Sequence, residues 1–185
     1  MSTVVLLAAG RSSRTSGLKQ LYKVEEEYLV NHQIKALQAY GFDVAVVLGY
    51  VQEKIRKVLD RGVTVIYNER YEEGMFSSVK KAVASLESET LLFCHVDRPV
   101  PDLSVFEALL KNEKSVAVAF YKGEKAPPVK ICAEVKTRLL DSDLKRLDHW
   151  VAVEKDVAYV EVDDPKVHYN ANSDETLEKY FGKRM

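Results

Sequence analysis

Four short apolar runs constrain the fold of this chain more than any other feature. Residues 3–9 (TVVLLAA), 44–48 (VAVVL), 63–67 (VTVIY) and 90–96 (TLLFCHV) are predominantly apolar, and Gly10, Gly49 and Asp97 stop three of them. A strand that is apolar on both faces must be covered on both faces, which a half-solvated antiparallel sheet does not provide. Between the runs the spacing turns helical. Val30, Ile34 and Leu37 mark one amphipathic stretch, and Val51, Ile55, Val58 and Leu59 a second that ends near Gly62. Val79, Val83 and Leu86 mark a third, and Val105, Phe106, Leu109 and Leu110 a fourth, to which Ser104 and Glu107 offer a capping box. Strands alternating with helices predict an α/β chain with a parallel sheet and right-handed crossovers. Ligands of such sheets bind at the carboxyl ends of the strands.

The second half is less regular. Residues 115–120 and 129–132 read as strands separated by a Lys/Gly/Pro loop, 139–147 as a helix, 157–162 as a strand and 173–181 as a closing helix. With no repeat and no linker-like tract, the 185 residues are expected to form one domain, 1–185. A hydrophobic share of 46% with 30% charged residues excludes a disordered chain. Lys and Arg total 27 against 28 Asp and Glu, so there is no basic excess to recommend a nucleic-acid or membrane-surface partner. No run reaches the length of a membrane span, and the start lacks the basic segment of a signal peptide. A cytoplasmic protein is expected. Cys94 and Cys132 lie far apart, form no C-x-x-C pair and read as small core residues.

Four segments carry chemistry. The first, Leu7-Ala8-Ala9-Gly10-Arg11-Ser12-Ser13-Arg14 and on to Lys19, follows the first strand. Small residues let a backbone approach a ligand, Gly10 is expected to permit a left-handed anion-binding nest, and Arg11, Arg14 and Lys19 supply cations for a polyphosphate. The loop is neither G-x-x-x-x-G-K-[ST] nor G-x-G-x-x-G. In the second, Asp97 directly follows the most apolar strand. It reads either as a hard oxygen ligand for Mg²⁺ or as a turn-former before Pro99. The third runs from Asn68 to Val79, where Ser77 and Ser78 after Gly74 either cap a helix or present hydroxyls to a nucleotide. The fourth is Asn170-Ala171-Asn172-Ser173-Asp174-Glu175, carboxamides preceding a helix that Ser173 is expected to cap.

Together these segments resemble the MobA-like NTP transferase family, in particular its molybdenum cofactor cytidylyltransferase branch. L-A-A-G-x-S-x-R with Lys19 is similar to the family's signature loop. Gly74-Met75-Phe76-Ser77-Ser78-Val79 is similar to G-M-x-S-S-[LV], Asp97-Arg98-Pro99 to D-x-P, and residues 170–177 to [DN]-x-[DN]-T-P-E-D-L. The resemblance implies a Rossmann-like three-layer α/β/α domain with a mostly parallel sheet. It implies an enzyme that transfers a nucleotidyl group, CMP favoured, from an NTP to a phosphorylated acceptor with release of pyrophosphate. Molybdopterin is the leading acceptor, Mg²⁺ the cofactor, and a molybdoenzyme a transient partner.

Carried over by position, Leu7, Ala8, Ala9, Gly10, Arg11, Ser12, Asn68, Ser77 and Ser78 would bind the nucleotide. Arg14 and Lys19 would act on the triphosphate, and Asp97 would hold the metal with Asn172 or Asn170. The CTP preference rests on Leu7-Ala8-Ala9-Gly10 with the Met75–Val79 segment. The guanylyltransferase branch carries L-A-G-G, while L-A-A-G also occurs in sugar-phosphate nucleotidyltransferases and so argues against GTP more than for CTP.

Departures from the pattern fall mainly on the acceptor side. Thr15-Ser16 replaces M-G, Arg98 replaces Gln or Met, Ala126-Pro127-Pro128 replaces G-H-P, and Asp174 replaces Pro. Arg98 would add a cation for a more anionic acceptor. Two alternatives remain open at this level: a nucleotidyltransferase for sugar phosphates or small phospho-alcohols, and a nucleotide-binding accessory protein without turnover. His32, His95, His149 and His168 show no ligand spacing, and His95 is expected to face inward, satisfied by backbone.

Overall fold

A computed structural model describes residues 2–182. The first apolar run forms β1 (Ser2–Leu7). A small hairpin of β2 (Lys23–Val24) and β3 (Glu27–Tyr28) then leads into α1 (Leu29–Ala39). Next come β4 (Asp43–Leu48), α2 (Gln52–Arg56), β5 (Thr64–Tyr67), α3 (Met75–Ser85), β6 (Thr90–His95) and α4 (Leu103–Lys111). The second half holds β7 (Val116–Tyr121), β8 (Glu124–Cys132), α5 (Lys136–Leu140), α6 (Leu147–Val153), β9 (Val157–Glu161) and α7 (Asp174–Phe181).

Seven strands form one sheet in the order β5-β4-β1-β6-β8-β7-β9. Every pairing is parallel except those of β8, which runs against both β6 and β7. Alternate residues of β1 enter opposite cores, as a period of two requires. Val4 and Leu6 join Leu29, Ile34, Leu37 and Phe106 on one face; Val5 and Leu7 join Phe76, Val79, Leu139 and Trp150 on the other. The result is the expected three-layer α/β/α arrangement. β4 and β6 flank β1 on opposite sides, so the chain reverses direction across the sheet beside β1. That reversal opens a crevice above the carboxyl ends of β1 and β6.

Four local expectations are corrected. Residues 139–147 are not one helix: α5 ends at Leu140 and α6 starts at Leu147. Asp141, Ser142 and Asp143 lie between them, and Ser142 Oγ accepts the Leu144 N–H at 3.2 Å, the competition with helical hydrogen bonds that such residues offer. Pro127 and Pro128 lie inside β8, and the chain turns instead at Lys122-Gly123, both left-handed. Two prolines are tolerated there because β6 pairs with β8 only up to Val129, so no ladder bond is lost on that side. The Ser104 capping box does not form, since α4 starts at Leu103 with Asp102 as its N-cap. Finally, α2 is only five residues long, entered through left-handed Val51, with Val58 and Leu59 beyond its end.

Candidate active site

The register places Leu7 opposite both Val47 and His95, so β1 and its neighbours end together. Past that line the Ala8 N–H donates to Val47 O at 2.9 Å and the Val96 N–H to Leu7 O at 3.1 Å. The chains then diverge around a cleft of about 330 Å³, bounded by Leu7–Gly10, the loop beyond it, Lys19 and Asp97. Leu7, Ala8 and Ala9 are buried and form its floor. Gly10 is not left-handed; Ser12 is, with φ 56°. The left-handed residue anticipated at Gly10 is instead Ser12, where the bend is closed by a carbonyl that accepts the Thr15 N–H and hydroxyl.

Gln20, which no sequence pattern singles out, holds this loop from beneath. It is 1% exposed, its Nε2 donates to Ala8 O at 2.8 Å and Gly10 O at 3.0 Å, and its Oε1 accepts from Ser12 Oγ. Ser12 Oγ in turn accepts the Lys19 N–H at 3.0 Å. Both ends of the cationic loop are thus tied to the floor.

Four of the expected residues converge at the cleft mouth. Lys19 Nζ lies 2.8 Å from Asp97 Oδ2 and 3.0 Å from Asn172 Oδ1, and Arg14 Nη2 donates to the same Asn172 oxygen at 3.1 Å. The segment carrying Asn172 is brought there by the Ala171 N–H, which donates to Asp97 O at 2.8 Å. Neighbouring Asn170 has a buried Oδ1 without a hydrogen-bond partner. Among the described residues no group of three His, Cys, Asp or Glu side chains could hold a metal. One carboxylate with the Asn172 carboxamide oxygen, both bonded to the same Lys19 Nζ, is nevertheless a donor set suited to Mg²⁺, which takes few protein oxygens and completes its shell with water and phosphate. The residues present fit such an ion.

Arg11 also lines the cleft but stands apart from that cluster. It pairs with Glu72 and lies against the rings of Tyr50 and Tyr71, 5.6 and 5.8 Å from their centroids. Hydrogen bonding to Tyr71 and the charge of Glu72 hold its pKa above the usual value. Tyr71 itself lines the cleft, and Gly49 makes room for it: a Cβ there would stand 2.5 Å from Tyr71 Cβ and 2.9 Å from Ala9 Cβ. The contact itself carried no sequence signal, because Gly49 follows β4 and Tyr71 lies beyond the end of β5.

Asn68, Ser77 and Ser78 form one hydrogen-bonded unit. The buried Asn68 donates from Nδ2 to Ser77 Oγ at 2.8 Å and Ser78 Oγ at 2.9 Å, and its Oδ1 accepts the Arg70 N–H. Ser78 faces the cleft, whereas Asn68 and Ser77 line a second cavity of about 360 Å³ beyond α3. Neither serine caps α3. Gly74 is its N-cap, and Ser77 Oγ donates back to Gly74 O and Arg70 O.

His95 borders the cleft, where burial lowers its pKa to about 4 against the opposing pull of Asp97. No backbone hydrogen bond to its ring is formed among the described residues, contrary to expectation. Arg98 is not a free cation toward an acceptor: its Nη1 donates to Val167 O at 3.1 Å and Tyr169 O at 3.4 Å. Its guanidinium braces the 165–169 segment instead. Ser173 caps α7 as expected, through a reciprocal box with Thr176. No helix among the described residues is long and apolar enough to cross a membrane.

Comparison with known proteins agrees with this geometry. The profile of the MobA-like NTP transferase domain matches residues 4–159. The molybdenum cofactor cytidylyltransferase of Escherichia coli (strain K12) is 27% identical over 116 residues, 60% of this chain and 60% of that protein. The chain therefore spans about 60% of the length of the curated relative it matches. Among solved structures, a nucleotidyl transferase from Methanothermobacter thermautotroptrophicus superposes with a TM-score of 0.82 at 19% identity, covering 98% of this chain and 96% of that one. The manganese complex of Rv0371c from Mycobacterium tuberculosis H37Rv superposes at 0.77 with 18% identity and 98% of each chain covered. With a family profile spanning most of its length, a reversal-point cleft and the signature loop above it, this chain belongs to the MobA-like NTP transferase family.

Proposed function

We propose that the protein transfers a nucleotidyl group, CMP favoured, from a nucleoside triphosphate to a phosphorylated small molecule, with molybdopterin the leading acceptor. The convergence of Lys19, Arg14, Asn172 and Asp97 above the Leu7–Gly10 floor carries this reading. An oxygen of the acceptor phosphate attacks the α-phosphorus. The bond from that phosphorus to the bridging oxygen of the β-phosphate breaks, and pyrophosphate leaves with the electron pair. Little proton transfer is asked of the protein, since a phosphate acceptor is already ionised. What the site must supply is in-line positioning and compensation of charge.

Lys19 and Arg14 hold the triphosphate, and the floor admits the nucleotide close to the backbone of Ala8, Ala9 and Gly10. Asp97 with Asn172 or Asn170 would hold Mg²⁺, which when bound neutralises charge on the α-phosphate and the departing pyrophosphate. Ser78, set by Asn68, offers its hydroxyl to the nucleotide from the opposite wall. The L-A-A-G floor and the Gly74–Val79 segment support CTP over GTP. Relatedness to the E. coli cytidylyltransferase supports molybdopterin.

Pyrophosphate release from each NTP with Mg²⁺, measured with and without molybdopterin or sugar phosphates, tests the proposal. CTP- and molybdopterin-dependent release is expected. Release with a sugar phosphate alone would transfer the reading to that acceptor class, and NTP binding without turnover on any acceptor would leave an accessory protein.

A further inference from the structure

The tip of the cationic loop is not held by its own backbone alone. Within it, Thr15 bonds to Ser12 O and Gly17 O. From the far end of the chain two side chains reach it in register: Asn172 accepts from Arg14, and two residues further on Asp174 accepts from Ser16. The Ser16 N–H points between both Asp174 oxygens, at 3.2 and 3.1 Å. Asp174 is the first residue of α7, and that helix does not need its carboxylate as a cap, because Ser173 and Thr176 satisfy each other's N–H groups. The carboxylate is committed to the loop instead.

The two positions also stand out in the sequence. Ser16 and Asp174 both depart from the motifs the chain otherwise resembles, 158 residues apart, and in the fold they face each other. Proline at 174 would present no side-chain acceptor to the loop.

Resting on the nucleotidyl-transfer reading, we propose that Asp174 is a positioning residue for the triphosphate. By fastening Ser16 it holds the loop tip against residues 172–174, and so keeps the Arg14 guanidinium beside Lys19 and Asp97. It acts through Arg14 and touches no substrate.

The test uses Asp174→Ala and Asp174→Pro, the latter at a first helical position where proline is tolerated, with Asp174→Asn as the conservative variant. Against whichever of ATP, GTP, CTP and UTP binds the wild type most tightly with Mg²⁺, Ala and Pro should weaken affinity by roughly three- to tenfold, the worth of one exposed charge-assisted hydrogen bond. Asn keeps an acceptor and should stay within about twofold. In an Arg14→Ala background the Asp174→Ala change should have no further effect, since its intermediary is gone. Hydrogen exchange of the Ser16 amide in the nucleotide-free protein should quicken in Ala and Pro and not in Asn.

Unchanged affinity and exchange in Asp174→Ala would overturn the proposal, as would an equal loss in the Arg14→Ala background. A wild-type protein that binds none of the four nucleotides would overturn the transfer reading and with it this role, whatever the Ser16 exchange shows.

Discussion

Lys19 Nζ sits 2.8 Å from Asp97 Oδ2, with the lysine side chain 8% and the aspartate side chain 23% exposed. An ammonium thus holds the carboxylate proposed above as a metal ligand, and under that proposal the two cations compete for it. Lys19→Met should therefore tighten nucleotide-free Mn²⁺ binding severalfold, while weakening NTP binding by about tenfold or more through loss of a phosphate contact. Calorimetric titration of each ligand into the variant reads both. Weaker Mn²⁺ binding in the variant would dissociate Asp97 from the metal.

Asp97→Asn keeps the shape of the side chain and removes its charge. Turnover should fall by about a hundredfold or more, with the melting temperature close to that of the wild type. Pyrophosphate release at saturating Mg²⁺ is the readout, and undiminished release would remove Asp97 from the site.

Gly49 is required by space and not by its φ angle. Gly49→Ala drives a methyl group into Tyr71 Cβ and Ala9 Cβ, atoms fixed to the backbone that cannot swing away. A loss of about 1–3 kcal/mol is expected in denaturant unfolding, with a change in NTP affinity because both displaced residues line the cleft. A Gly49→Ala protein of wild-type stability would show that the Tyr71 packing is softer than described.

Asn68→Ala removes a buried donor shared by two serines and the acceptor of the Arg70 N–H. It should cost about 1–3 kcal/mol. Asn68→Asp should rescue it only in part, since a carboxylate accepts from the Ser78 hydroxyl but cannot donate to Ser77, whose own O–H is turned to Arg70 O and Gly74 O. Urea midpoints of the two variants decide the matter.

The depressed pKa of His95 makes stability depend on pH in a defined direction. The folded state takes its proton near pH 4 and the unfolded chain near 6.5, so the unfolded state binds the extra proton between them. This contribution is complete above about pH 6.5 and is lost as pH falls toward 4, on the order of 1–2 kcal/mol given the partial exposure of the ring. His95→Asn should flatten the stability profile across that window relative to the wild type. Parallel profiles for the two proteins would contradict the buried neutral imidazole.

Much of this architecture was legible in one dimension because its signals are local. A continuous apolar run such as 90–96 must be buried on both faces, and the residue that ends it, Asp97, must then stand at an edge of the sheet. The signature loop was equally readable, since Leu7–Gly10 and Lys19 lie within a dozen residues of one another. Errors arose where a local rule met a distant competitor. Ser104 lost the capping position to Asp102, whose N–H donates to Asp164 Oδ2 and whose carboxylate pairs with Lys166. Arg98 looked like a spare cation until the fold brought two carbonyls from 167 and 169 to it.

The sequence by itself determined the layered α/β design, the order of its central elements and the identity of the loop proposed to meet a phosphate. Hydrophobic period and small-residue punctuation encode these directly. Only the tertiary structure decided which charges act together. Lys19 meets Asp97 and Asn172, Arg11 turns to Glu72 and two tyrosines, and Ser16 finds Asp174, because hydrogen bonds and ion pairs are made across space at about 3 Å, whatever the separation along the chain.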